Sequence, residues 1–231
     1  MRYAKIIVLS SAILSLNLLG CSEDDEEDEI TTSSYEITVT NITNNQPLTP
    51  IAIVMHHDGY APWSLGSASS AGLEVLAESG SPELFISEAN ANNNVTATDA
   101  GNSAITAGNS VTFNLMISNT ESDDLKLSIA SMLANTNDAF SGVNSWDISG
   151  LGTGDSLSTL AKVFDAGTEN NDELNIPGSG GEGFNAARDD IDKVTIHRGV
   201  VTADDGLSTS QLDETQRWQN YAAKVSITRI N

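Results

Sequence analysis

Apolar and polar residues alternate over several short stretches of this chain. Tyr35–Ile42, Val111–Ile117, Leu125–Ile129, Val194–His197 and Ala223–Ile230 set apolar side chains between Thr, Ser, Glu, Asn or Lys. Alternation at period two predicts strands with one covered and one wet face. Ile51–Met55 is apolar without a break, which predicts a strand covered on both faces. A helical pattern stands at Ser69–Glu78, where Leu73, Leu76 and Ala77 share a face before Gly80 stops it, and Ser210–Trp218 fits a short second helical turn. Gly-, Asn- and Ser-rich stretches over residues 90–107 and 144–159 read as long loops. There is no internal repeat and no second domain boundary. The prediction is an all-β fold, an antiparallel β-sandwich with long loops and one or two short helices, over residues 35–231.

The first 34 residues follow other rules. Arg2 and Lys5 precede an apolar run from Ile6 to Leu19, and Leu18-Leu19-Gly20-Cys21 ends it as a bacterial lipoprotein processing site does. About 14 apolar positions are too few for a membrane-spanning helix, which needs roughly 20. Residues 1–20 are therefore expected to be a signal peptide, with lipid attached to Cys21, the chain's single cysteine. Seven consecutive acids, Glu23–Glu29, then repel one another, so residues 21–34 read as an acidic disordered tether. The chain carries 32 acids against 10 Lys and Arg, a formal charge of −22. Such a charge repels nucleic acid and anionic head groups and excludes both as partners of the domain. It attracts divalent cations.

Two segments carry the candidate chemistry. Ser128–Val143 and Val163–Asn170 each begin as an apolar, strand-like run and break into small oxygen-bearing residues around a carboxylate. If the two strand ends converge, Asp138, Asp165 and Glu169 meet. Three carboxylates repel unless a cation lies between them, and Ca²⁺ takes six to eight oxygens, which carbonyls can complete. Glu121 and Asp123, in the loop before the Leu125 strand, are placed as further donors from the side. Taken alone, the same acids read more simply as ordinary turn residues, where Asp is a default choice.

At these residues the chain resembles the spondin domain, the N-terminal module of F-spondin and mindin. Asn135–Val143 is similar to one family segment and Asp165-Ala166-Gly167-Thr168-Glu169 to another, while Trp63–Leu73 followed by Ala77-Glu78-Ser79-Gly80 is similar to a third. Glu169 stands where the family has Asp, Ala139 where it has Trp, and the cysteines of the mammalian domains are missing. The resemblance spans about residues 35–231 and implies a C2-like β-sandwich that binds calcium through Asp138, Asp165 and Glu169.

Other motifs weigh less. Gly154-Asp155-Ser156-Leu157 reproduces a hydrolase block with a nucleophilic serine, but a glycine loop precedes it, and His197 with Asp192 is the only downstream His–acid pair. His56-His57-Asp58 follows a covered strand and reads as a hydrogen-bonded strand end rather than a zinc site. Trp63, Trp146 and Trp218 read as core or loop anchors. The chain is thus expected to be an exported, lipid-anchored module of the bacterial outer membrane or cell surface. It is expected to bind calcium and a protein or glycan ligand, adhesively and without catalysis. The alternatives are a serine hydrolase using Ser156 and a purely structural envelope lipoprotein.

Overall fold

The computed structural model describes residues 31–118, 123–174 and 191–231. The signal segment, Cys21, the acidic run and Glu121 lie outside the described residues. The first strand, β1 (Thr32–Asn41), takes in Thr32, Ser33 and Ser34, which the sequence had assigned to the tether. These three pair with β4 (Ser110–Ser118), and the Arg229 guanidinium donates to the buried Ser33 hydroxyl at 2.7 Å.

The remaining strands are β2 (Ala52–His56), β3 (Val95–Ala100), β5 (Lys126–Met132), β6 (Ala139–Asp147), β7 (Ser156–Asp165), β8 (Thr195–Ile196) and β9 (Tyr221–Arg229). They form one antiparallel sheet in the order β3-β2-β5-β6-β7-β9-β1-β4, with β8 added to β7. The sheet curls until its edge strands β3 and β4 touch, a nearly closed, sandwich-like arrangement. The all-β antiparallel prediction holds.

Period-two alternation becomes the inner core. Ile37 and Val39 of β1, Phe113 and Leu115 of β4, Leu127 and Ile129 of β5, and Val225 and Ile227 of β9 point into the curl. On the outer side of β1, β4, β7 and β9, hydroxyls pair across strands, Thr38 with Thr112, Thr40 with Ser110 and Ser156 with Thr228. The other half of the sheet is covered outside too. Helices α1 (Ala71–Ser79) and α2 (Glu83–Asn90) lay Leu73, Leu76 and Phe85 on Ala52 and Val54 of β2, with Trp63, Phe140 and Phe164 alongside. Burial on both faces is why β2 is apolar from Ala52 to Met55.

Helix α1 falls where its pattern predicts. The Ser70 hydroxyl accepts the Leu73 N–H, and Gly80 closes the helix at φ +76°. Helix α2 has no such marks: Pro82 caps it without a side-chain bond, and only Phe85 and Ala89 are buried. Strand β3 lies inside the stretch read as a loop, because it is a half-exposed edge strand of small and polar residues. Residues 144–147 and 156–159, also read as loop, belong to β6 and β7. The expected turn near Ser210–Trp218 is a 3₁₀ helix, Glu214–Gln216, capped by Asp213.

Gly142 marks a close seam between the two layers. A Cβ there would stand 2.6 Å from Trp63 Cη2 and 2.7 Å from the Ile129 carbonyl oxygen. Gly142→Ala is therefore expected to destabilise by about 2 kcal/mol, a loss of several degrees in melting temperature, with altered near-UV circular dichroism from Trp63. An unchanged melt would show that the Trp63 layer is not closely packed on β6.

Candidate functional site

Strands β6 and β7 bring the two candidate segments together. Ala139 pairs with Asp165 in their ladder, so Asp138, one residue before β6, lies beside the last residue of β7. The turn into β6 is fixed by Thr136, whose hydroxyl donates to the Leu133 carbonyl at 2.7 Å and accepts the Ala139 N–H at 3.1 Å. After β7 the chain folds back over Asp138. The Ala166 N–H donates to the Asp138 carbonyl, and the N–H groups of Thr168 and Glu169 donate to Asp138 Oδ2 at 2.8 and 3.0 Å. Gly167 makes the reversal at φ +73°, and a Cβ there would meet the Lys193 backbone at 2.3 Å; only glycine fits. Its N–H donates to Asp165 Oδ1, and the Asn171 amide donates to Asp165 Oδ2 at 2.6 Å.

Asp138 is fully buried, and its second oxygen, Oδ1, has no hydrogen-bond partner. Burial, and then the neighbouring Asp165 charge, push its pKa up from 3.8 to about 6 against the N–H bonds that favour the anion. Glu169 is also fully buried and contributes its backbone N–H. Among the described residues, no group of three or more His, Cys, Asp or Glu converges closely enough to form a metal cluster by itself. The structure joins Asp138 to Asp165 and brings the Glu169 backbone to Asp138. The Trp63–Gly80 stretch borders the same site, since the Ser69 hydroxyl donates to the Ala166 carbonyl and the Val194 N–H to Ser67.

The other candidates separate. Asp123 precedes β5 while Asp138 follows it, so the strand holds them roughly 20 Å apart, and Asp123 is no donor to this site. Ser156 begins β7, exposed, and bonds to the Thr228 hydroxyl. His197 sits at the other end of that strand, its N–H on the Val163 carbonyl, so the hydrolase pair is not assembled. His56 is buried and bonded at both ring nitrogens, to the His57 carbonyl and to Ser128 Oγ. Trp63 is a core residue, and Trp146 and Trp218 pack against the inner core. Sequence reading gave His197 only the part of a possible serine partner. The structure buries it against Trp218, within electrostatic reach of Asp165.

Residues 41–195 match the family model described as Spondin_N. The match runs from the end of β1 to the start of β8 and includes Trp63, Asp138, Asp165 and Glu169. No curated protein matches the chain at a significant level.

The raised pKa of Asp138 has a sign. A carboxylate that titrates higher in the fold than in the unfolded chain costs nothing below about pH 4 and its full amount above about pH 6, on the order of 2–3 kcal/mol. In chelator-treated protein, Asp138→Asn, uncharged throughout, is expected to gain stability relative to wild type as the pH rises from about 4 to about 7. Melting temperatures of both proteins across that range check this, and parallel curves would contradict it.

Proposed function

The chain belongs to the Spondin_N family, and from that premise we propose that it is a lipid-anchored, non-catalytic binding module whose β6–β7 loops hold Ca²⁺ through Asp138, Asp165 and Glu169. The family is one of extracellular, adhesion-type modules and is generally non-enzymatic. Lipid on Cys21 anchors the domain to a bacterial envelope, and the acids that follow keep it clear of the bilayer surface.

The unpartnered Asp138 Oδ1 carries the calcium reading. A buried carboxylate oxygen without a donor costs free energy that a cation recovers. The proposed donors are oxygens, from Asp138, Asp165, Glu169 and nearby carbonyls, and such a set suits a hard cation and not a soft one. When bound, the ion would supply positive charge that offsets the Asp138 and Asp165 carboxylates lying side by side. The residues themselves fix the loop: Thr168 and Glu169 hold one Asp138 oxygen, and Gly167 and Asn171 hold Asp165. An ordered loop at the sheet end then presents the surface that a protein or glycan partner meets.

Melting the full-length chain with calcium and with excess chelator tests this. At calcium a hundredfold above Kd the folded state gains about 2.7 kcal/mol, roughly 5–10 °C for a domain of this size. Asp165→Ala is expected to melt alike in both conditions. Coincident wild-type curves, with no metal in elemental analysis of the purified protein, would defeat the calcium reading and leave the family assignment untouched.

A further inference from the structure

Strand β4 ends the sheet, and among the described residues it forms a ladder with β1 alone. Strand β3 touches it from the other end of the curl but makes no ladder with it. Ladder geometry decides which backbone groups of β4 are left over. The Ser34 N–H donates to Asn231 Oδ1 at 2.6 Å and its carbonyl accepts the Ile230 N–H at 2.7 Å, so both face β9. Antiparallel pairs alternate. Glu36, Thr38 and Thr40 therefore also face β9, and their β4 partners Asn114, Thr112 and Ser110, like Met116 opposite Ser34, are not backbone-bonded to β1. Side chains approach closely in such pairs, and the Thr38–Thr112 and Thr40–Ser110 hydroxyls meet at 2.9 and 2.8 Å. The N–H and carbonyl groups of Ser110, Thr112, Asn114 and Met116 thus point out from the sheet edge.

Sheet edges of this kind are usually blunted by Lys, Pro, a bulge or another charge. Strand β4 has none of these in Ser-Val-Thr-Phe-Asn-Leu-Met-Ile-Ser, and its register with β1 is unbroken. Residues 100–120 carry no charge, in a chain of formal charge −22. The strand is also symmetric about Asn114. Phe113 and Leu115 are buried, Thr112 and Met116 are exposed, Val111 and Ile117 are apolar, and both ends are Ser. Met116 is 68% exposed. A two-fold axis at Asn114 sets each outward-facing residue against another: Asn114 against itself, and Thr112 against the second copy's Met116. Each such pair exchanges two backbone bonds, and the inner and outer faces of the two strands match. Glu36 is the β1 acid opposite Asn114. Across the axis the two Glu36 residues stand three strand spacings apart, roughly 14 Å, beyond a Debye length of about 8 Å at physiological salt.

We infer that the β4 edge is the contact of a two-fold dimer, in which it pairs antiparallel with β4 of a second copy about Asn114 and joins the two sheets. The inference goes beyond the calcium reading and shares no residue with it.

The test uses the full-length chain with Cys21→Ser, which removes the lipid attachment point and the only thiol, in detergent throughout. Sedimentation velocity is expected to show a dimer that grows with protein concentration, with calcium and with chelator alike. Asn114→Lys brings two ammonium groups together at the axis and, in the monomer, faces Glu36. It is expected to weaken dimerisation at least tenfold while the melting temperature of dilute protein stays unchanged. A short bismaleimide then tests the register. Asn114→Cys places the two introduced thiols on facing residues with Cα atoms about 5.5 Å apart, so the chains become cross-linked. Ser110→Cys places them about 27 Å apart, so those chains do not. A monomer at every concentration up to about 100 µM, which would leave this edge to no second copy, overturns the proposal. So does a dimer confined to calcium, an Asn114→Lys protein that dimerises as wild type does, or equal cross-linking of the two cysteine variants.

Discussion

A carboxylate cut off from water governs one whole end of this sheet. Asp138 is ionisable, fully buried and solvated on one oxygen only, by the N–H groups of Thr168 and Glu169. Those two groups lie in range because Gly167 turns the chain back immediately after β7. The turn is also closed from outside, since Ser69 reaches the Ala166 carbonyl. The helical layer, the last turn of β7 and the start of β6 therefore share a single polar focus. In a medium of low dielectric that focus is strong where bonds are made and expensive where one is missing.

Double burial makes the focus rigid. Most of the curled sheet keeps one face wet, and hydroxyl pairs such as Thr38 with Thr112 occupy it. Strands β2, β5 and β6 instead lie between the inner core and the layer formed by the helices and Trp63. Phe140 and Phe164, on adjacent strands next to Asp138 and Asp165, stack at 5.3 Å between centroids with Trp63 edge-on to both. An aromatic cluster so close to the acids holds the strand ends where the ladder puts them.

How far these features can be read from sequence depends on whether a local pattern or a remote contact makes them. Helix α1 is legible because Ser70 and Gly80 bracket it, and β1, β4 and β9 because their alternation reflects one dry face. Helix α2 and β3 escape notice because neither has a cap or a strong pattern, and the surface each leans on belongs to residues far away in the chain. The meeting of Asp138 and Asp165 is legible, since each closes an apolar run. The backbone role of Glu169 and the bare Nε2 of His197 are not, because the fold-back after β7 and the turn at Gly199 create them. Asp123 shows the opposite case: adjacency in sequence places it near the site, and the length of β5 carries it to the far end.

The antiparallel ladders also set how the domain carries load. Strand β1 starts at the same end of the sheet as β7 and lies between β4 and β9, bonded along both edges. The loop at Asp138 and Asp165 occupies the opposite end. Tension between residue 31 and that loop therefore runs along the strand axes, across hydrogen bonds that lie perpendicular to them. The bonds of β1 are sheared together instead of being peeled one after another, and the domain resists a pull in this direction as a unit.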